Sequence, residues 1–238
     1  MNRIIISVFL LGIIFFTACT KNDTPALPKL NFTDTSETKA FLDTTNFGVY
    51  KGVLTGTTGR IKLYFNNGDT IKKAMITIDS LSDTLVCTQQ FVIGQPVVAA
   101  FFQGRISSLT FTTDATGKNA SLDNFIITNR INVFGVLAHE SKTDLVYCYE
   151  SKFTGSERGN FNFISYGNQT QGLAINVLGQ TFIGKGLLTG KIFKLVLNGP
   201  LNIQNIFQGG IEDTKDYFSG SWIKSTNQSG VFSGTRTQ

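Results

Sequence analysis

Four stretches of this 238-residue chain place reactive side chains at spacings that chemistry uses. Gly179 to Gly186 (GQTFIGKG) nearly spells a phosphate-binding loop. The residue after Lys185 is Gly186, which carries no hydroxyl for magnesium, and the following LLTGKIFKLVL is strand-like. A phosphate loop needs that hydroxyl and a helix N-terminus at that point. Ser221 to Lys224 (SWIK) has the Ser-x-x-Lys spacing of penicillin-recognising serine enzymes. On a strand, residues i and i+3 face opposite sides, and the companion motifs of that chemistry are absent. His139 is the single histidine, so neither a His-built zinc site nor HExxH is available. No Gly-x-Ser-x-Gly elbow presents a serine to it. On this reading His139 is a surface or loop residue whose neighbour Glu140 faces the other side of a strand. The one acidic cluster, Glu212, Asp213 and Asp216, contains Lys215 and follows the turn signal Gly209-Gly210. A solvated hairpin loop accounts for it more simply than a calcium site or the carboxylate pair of a glycosidase. No catalytic, cofactor-binding or metal-binding residue is therefore assigned, and a carboxylate-dependent glycan hydrolase is the weakest of the functional readings.

The cysteines speak to address rather than to catalysis. Arg3 precedes the uncharged run Ile4 to Ala18, and Thr17-Ala18 places small residues before Cys19. Fifteen residues suit a signal-peptide core and fall short of the roughly 20 of a spanning helix. The segment resembles a bacterial lipoprotein signal, whose lipobox ends in a small residue and an obligatory cysteine. Phe16 departs from the usual leucine. The resemblance covers only the first twenty or so residues, and CTKND with its polar continuation is similar to lipoproteins of the Bacteroidota. It implies cleavage before Cys19, lipidation of Cys19, and a place in the cell envelope, at the outer membrane, facing the periplasm or the surface. Several acyl chains at ~0.8 kcal/mol per buried methylene would hold such an anchor firmly. Cys87 and Cys148 then remain. An oxidising compartment permits a bridge between them, and two separate buried thiols are the alternative.

Composition excludes further classes. The net charge is +5, but the longest basic run is Lys72-Lys73, so the basic face of a nucleic-acid binder is missing. Charged residues make up only 16% of the chain, whereas Phe numbers 21 and Gly 24. Ring-rich, glycine-rich sequence with few long charged helix formers argues for strands and tight turns.

Residues 19–46 are rich in Thr, Asp, Lys and Pro and read as the lipidated cysteine and a flexible tether, after a leader over 1–18. The β-rich region is expected over 47–238. In RIKLYFNNGDTIKKAMITID, Ile61, Leu63 and Phe65 alternate with polar residues, as do Ala74, Ile76 and Ile78, on either side of Asn67-Gly68. Asn-Gly between alternating runs signals a hairpin. KIFKLVLNGPLNIQNIF repeats the idea at Asn198-Gly199, and PVVAAFF (Pro96 to Phe102) reads as a strand covered on both faces. Such runs number about 14 to 16 and predict an all-β antiparallel sandwich or barrel.

Two pairs of segments suggest a duplication over roughly 47–138 and 139–238, and hence two similar β modules. Thr55 to Thr70 aligns with Thr154 to Thr170, and Phe101 to Phe111 with Leu187 to Leu197, at different offsets. The ending SGSWIKSTNQSGVFSGTR implies a closing hairpin carrying Trp222 and Phe232. Its Gly-x-Trp texture resembles lipocalin and avidin barrels, although in lipocalins that element lies near the start of the chain. No functional residue is carried over; Trp222 and Phe232 are candidates for core or for an apolar ligand site. Asp43-Thr44-Thr45, Asp69-Thr70-Ile71, Asp79-Ser80-Leu81 and Asp83-Thr84-Leu85 resemble the Asp-Ser/Thr-aliphatic O-glycosylation sites of exported Bacteroidota proteins, the first with Thr45 in the aliphatic place. Thr44, Thr70, Ser80 and Thr84 are the acceptors that resemblance implies; ordinary Asp-Thr turn chemistry is the alternative.

The expectation is a lipid-anchored β protein acting as a non-catalytic binding module on an unknown protein or glycan, with a calycin-like barrel for a small apolar ligand as the alternative. Neither cofactor nor nucleic acid is expected.

Overall fold

The computed structural model describes residue 30 and residues 32–238. Among these residues, sixteen strands form two eight-stranded antiparallel modules. The first comprises β1 (Gly48–Leu54), β2 (Gly59–Phe65), β3 (Lys72–Ile78), β4 (Leu81–Val86), β5 (Val97–Gln103), β6 (Ser107–Thr113), β7 (Ser121–Ile127) and β8 (Gly135–Glu140). The second comprises β9 (Tyr147–Gly155), β10 (Gly159–Tyr166), β11 (Gln169–Asn176), β12 (Thr181–Thr189), β13 (Ile192–Asn198), β14 (Gln204–Ile211), β15 (Tyr217–Lys224) and β16 (Ser229–Arg236). Each is a meander whose first strand pairs with its last. The second closes into a barrel. The first is barrel-like but open: β7 and β8 end the sheet, and β4 meets β5 only at Val86↔Gln103.

Local chemistry sets most of this. In β2 the residues Ile61, Leu63 and Phe65 are buried and alternate with half-buried Lys62 and Tyr64. They pair with Ile76, Ala74 and Lys72 of β3 across a turn containing Asn67-Gly68, where Gly68 takes a φ of 82°. Period-2 alternation of this kind turns one face inward. The strand β5 departs from the sequence expectation. Val98 and Phe101 are exposed, so PVVAAFF is covered on one face only. The register shifts between Val97 and Ala100, and Ala99 adopts a φ of 51° with its amide on the Thr112 hydroxyl. A bulge re-aims the side chains around it, which turns an apolar run outward.

The closed barrel explains the abundance of Phe and Gly. Phe161, Phe163, Phe182, Phe193, Phe207 and Trp222 are fully buried inside it. Phe161 stacks on Phe207 at 4.1 Å between ring centroids and on Phe163 at 5.3 Å. Glycines lie under the rings. A Cβ on Gly220 would come within 2.6 Å of Phe232, and one on Gly230 within 2.6 Å of the Trp222 indole nitrogen. That indole donates to the Thr154 carbonyl at 3.0 Å, so its polar edge is satisfied. Trp222 and Phe232 are therefore core, and the hairpin that carries them closes the barrel through β16 against β9. Replacing Phe161 with Ala should destabilise the protein by about 3–5 kcal/mol, read from the urea midpoint. A loss under ~1 kcal/mol would mean that the interior is not close-packed.

The first repeat pair is matched in structural place: β2 and β10 are each the second strand of their module. The second pair sets β5–β6 against β12–β13, which are the fourth and fifth strands of theirs, so it is displaced by one strand.

Packed structure begins before Phe47. Thr38, Leu42 and Asn46 are buried, and Ala40–Leu42 form one 3-10 turn. The part of the expected tether from Phe32 to Asn46 thus belongs with the fold. Glu37 fastens it, accepting from Lys62 at 2.7 Å and facing Lys51 at 3.0 Å, while its own amide donates to Glu140 at 2.8 Å. Burial raises the Glu37 pKa, but hydrogen bonds from the two lysines outweigh it and hold the carboxyl at about 2. A depressed carboxyl contributes stability that is full above its ordinary value near 4.5 and is lost as pH falls toward 2. The Tm advantage of the native chain over Glu37→Gln should accordingly be greatest at neutral pH and shrink between pH 4.5 and 2. An advantage independent of pH would sink this assignment.

Candidate functional site

The two modules meet along a seam made by β1 and β8 on one side and β9, β10 and β11 on the other. Val53, Val136, Ala138, Val146, Ile164 and Leu173 pack there as a separate apolar cluster with Cys148. Strand β1 is buried at every residue, because its inward face fills the first module and its outward face meets the second. Lys51 lies on that outward face and pairs with buried Glu140 at 2.7 Å. Burial works against the Lys51 charge, but the hydrogen bonds and charges of Glu140 and Glu37 raise its pKa.

Polar side chains tie the modules across the seam. Asn162 of β10 donates to the carbonyls of Leu54 (2.9 Å) and Gly56 (3.1 Å). The Glu150 carboxylate accepts from the Gly59 amide at 2.9 Å, and burial raises its pKa. The terminal Gln238 side chain donates to Gly52 (3.0 Å) and Ile61 (3.2 Å).

Among the described residues, an opening lies at each end of the strands along this seam. At the end where β1 begins, a polar cleft of about 280 Å³ lies between the 116–120 loop, β8 and the β10–β11 turn. Lys118, Lys185, Asp144, His139, Tyr166 and Gln171 line it. His139 Nε2 lies 2.9 Å from the Phe47 carbonyl, and burial lowers the imidazole pKa. A neutral ring bonded in that way donates from Nε2 and keeps Nδ1 as an acceptor. His139 is thus a half-buried strand residue rather than a surface one. The cleft offers cations, the carboxylates of Asp43 and Asp144, and an aromatic ring, a set suited to hydrogen bonding with a small polar molecule.

At the other end a groove of about 460 Å³ runs between the modules. Its first wall carries Gly56, Arg130 and Ile131; its second carries Lys152, Arg158 and Val177. Asp79 pairs with Arg130 and accepts from the Thr57 amide at 2.8 Å. Asn176 accepts from the amides of Leu178 and Gln180 and fixes the opposite turn.

The residues singled out from sequence fall in different places. Cys19 lies outside the described residues. Cys87 and Cys148 are free thiols, Cys87 in the first core and Cys148 in the seam, which is the second of the two alternatives, separate buried thiols. Burial pushes the Cys148 thiol up to about 12. Thr44, Thr70 and Ser80 are exposed in turns, and Thr84 is exposed on β4. Of the acidic cluster, Asp216 is buried and accepts from the Leu30 amide at 3.0 Å, whereas Glu212 and Asp213 remain exposed. Among the described residues no cluster of three or more His, Cys, Asp or Glu could hold a metal, and no helix is long and apolar enough to cross a membrane. Sequence reasoning missed the seam. Its one local signal is Asn162 between two inward Phe residues, a polar side chain on a strand that is buried on both faces.

No family model and no curated protein matches the sequence. A solved structure described as a surface lipoprotein is similar at 10% identity, over 79% of this chain and 98% of that one, with a TM-score of 0.30. A likeness at that level carries no argument about this chain.

Replacing Asn162 with Ala removes both cross-module bonds and leaves two carbonyls poorly satisfied, a loss of about 1–3 kcal/mol. Thermal unfolding followed by calorimetry should then separate into two transitions. One transition at the native midpoint would show that the seam does not depend on Asn162.

Proposed function

We propose that this chain is an exported, lipid-anchored β protein that works as a non-catalytic binding module at the cell envelope, at the outer membrane or the cell surface. The single observation that carries the binding reading is the filled interior of the closed barrel. Its rings stack on one another over glycines, which leaves the binding surface outside the barrel, at the two openings of the seam. Rigid walls built from both modules suit recognition by a preformed surface.

The calycin-like alternative loses its support for the same reason, because the candidate ligand residues Trp222 and Phe232 spend their surface on neighbouring rings. Lipid attachment at Cys19 rests on the leader sequence. The segment before Leu30 would then tether the fold, with a protein or glycan as partner and the membrane engaged only through the anchor. O-glycan attachment at Thr44, Thr70, Ser80 and Thr84 is compatible with their exposure.

Native mass spectrometry of the chain from residue 19 onward, carrying Cys19→Ser and purified without detergent, should give a clean apo mass. A small mass released on denaturation would restore the ligand barrel. In an exporting bacterial host fed a labelled fatty acid, the native chain should take up label and Cys19→Ser should not. Equal labelling of both would remove the anchor from the proposal.

A further inference from the structure

We infer that the groove at the end of the strands remote from residue 30 docks a partner protein through an acidic segment flanked by aliphatic side chains. This rests on the binding-module reading and names the partner class of one of its two openings.

The first observation is apolar surface held outward. Ile131 is 88% exposed on the β7–β8 loop, and Val177 and Leu178 are 64% and 78% exposed on the β11–β12 turn. They stand on opposite sides of the groove or at its rim. Neither turn is free to fold them back. Asn176 holds the second through the Leu178 and Gln180 amides at 3.1 and 3.0 Å. The Thr55 hydroxyl bonds both the Asn132 carbonyl (3.3 Å) and the Phe134 amide (3.1 Å) of the first. Aliphatic side chains fixed in water on rigid walls are characteristic of a surface awaiting a partner.

The second observation is charge. Among the described residues, four charged side chains line the groove: Arg130, Lys152, Arg158 and Asp79. Asp79 is spent on Arg130. Among the described residues neither Lys152 nor Arg158 has an ion pair or a side-chain hydrogen bond. Two uncompensated cations between apolar rims select a ligand with a carboxylate beside aliphatic groups.

The third observation is direction. Leu30 is bound by Asp216, and Asp34 by Arg236 at 2.8 Å, both at the end of the second barrel where β15 begins and β16 ends. The groove lies at the other end, with the last residues of β9 and the first of β10. A chain anchored ahead of residue 30 therefore holds its groove away from its own membrane. That favours a protein partner over a lipid surface.

The test uses the full chain after the leader with Cys19→Ser, so the result does not depend on lipidation. Three labelled extended peptides are compared by fluorescence anisotropy: alternating Glu and Val, alternating Lys and Val, and alternating Glu and Ser. The Glu/Val peptide should bind at least about tenfold more tightly than the other two, and should weaken as salt is raised. Lys152→Glu with Arg158→Glu, and separately Ile131→Ser with Val177→Ser, should each weaken it at least about tenfold. All four positions are exposed, so the variants should keep the native Tm. Leu201→Ser, exposed at the same end but outside the groove, should change nothing. Equal binding of the Lys/Val peptide, unaltered binding by the groove variants, or no peptide binding would overturn the inference. Binding of anionic-lipid vesicles through these residues in place of peptide would also overturn it. Failure here with Cys19 labelled in cells would leave the envelope reading intact; binding without labelling would remove only the argument from direction.

Discussion

The structure depends on aromatic rings lying over glycines. An eight-stranded barrel has an interior just wide enough for its own side chains. Here that space is taken by Phe rings and one Trp, which fit because the facing strands present hydrogen where other residues present Cβ. At Gly184 and Gly186 a Cβ would lie 1.9 and 1.8 Å from the carbonyls of Val196 and Lys194, so β12 can approach β13 at those points only as glycine. Ring and glycine are thus two halves of one device. Each is unfavourable alone, since glycine weakens a strand and a large ring overfills a small barrel.

A barrel filled in this way can bind only on its outside, and here part of the outside belongs to a second module. The seam between them is mixed in character. Its centre is apolar, while Lys51 and Glu140 form a buried ion pair within it. Removing one partner of such a pair is far more damaging than the pair is stabilising, because the survivor is left charged and dry. Both residues belong to the first module, on neighbouring strands β1 and β8, so the pair fixes those strands and not the placement of the modules. Asn162 acts across the seam, since its amide reaches the Leu54 and Gly56 carbonyls of the other module. Both openings inherit their shape from that placement.

Much of the fold was legible in the sequence, and the site was not. Alternation around Asn67-Gly68 identifies β2 and β3 because a hairpin is a local object with a local code. The closing hairpin with Trp222 and Phe232 is legible for the same reason. The apolar run at Pro96 to Phe102 misleads, because double coverage falls on β1 and β10, whose sequences GVYKGVL and GNFNFISY carry Lys51 and Asn162 toward the seam. Which face of a strand is covered depends on partners more than a hundred residues away. Asn162 meets Leu54 across 108 positions and Gln238 meets Gly52 across 186. The thiols make the same point from the other side. Cys87 and Cys148 sit in separate clusters, and each does the work of a small apolar residue.

The first module stays open where the second closes, and this difference follows from the same rule. Its core relies on aliphatic residues beside Phe65, Phe102 and Phe111, with fewer glycines under rings. Between β4 and β5 the segment after Val86 folds inward: Cys87 is buried and Gln89 accepts from the Phe101 amide at 2.7 Å. Side chains thereby replace a ladder that the backbone leaves unmade after one pairing. At the other break, β8 leans on β10 and β11 instead of pairing with β7. The open edge of the first module thus lies beside the seam, with the β7–β8 loop and Ile131 projecting from it. The loop that spans this open edge supplies Arg130 and Ile131 to the wall of the groove between the modules.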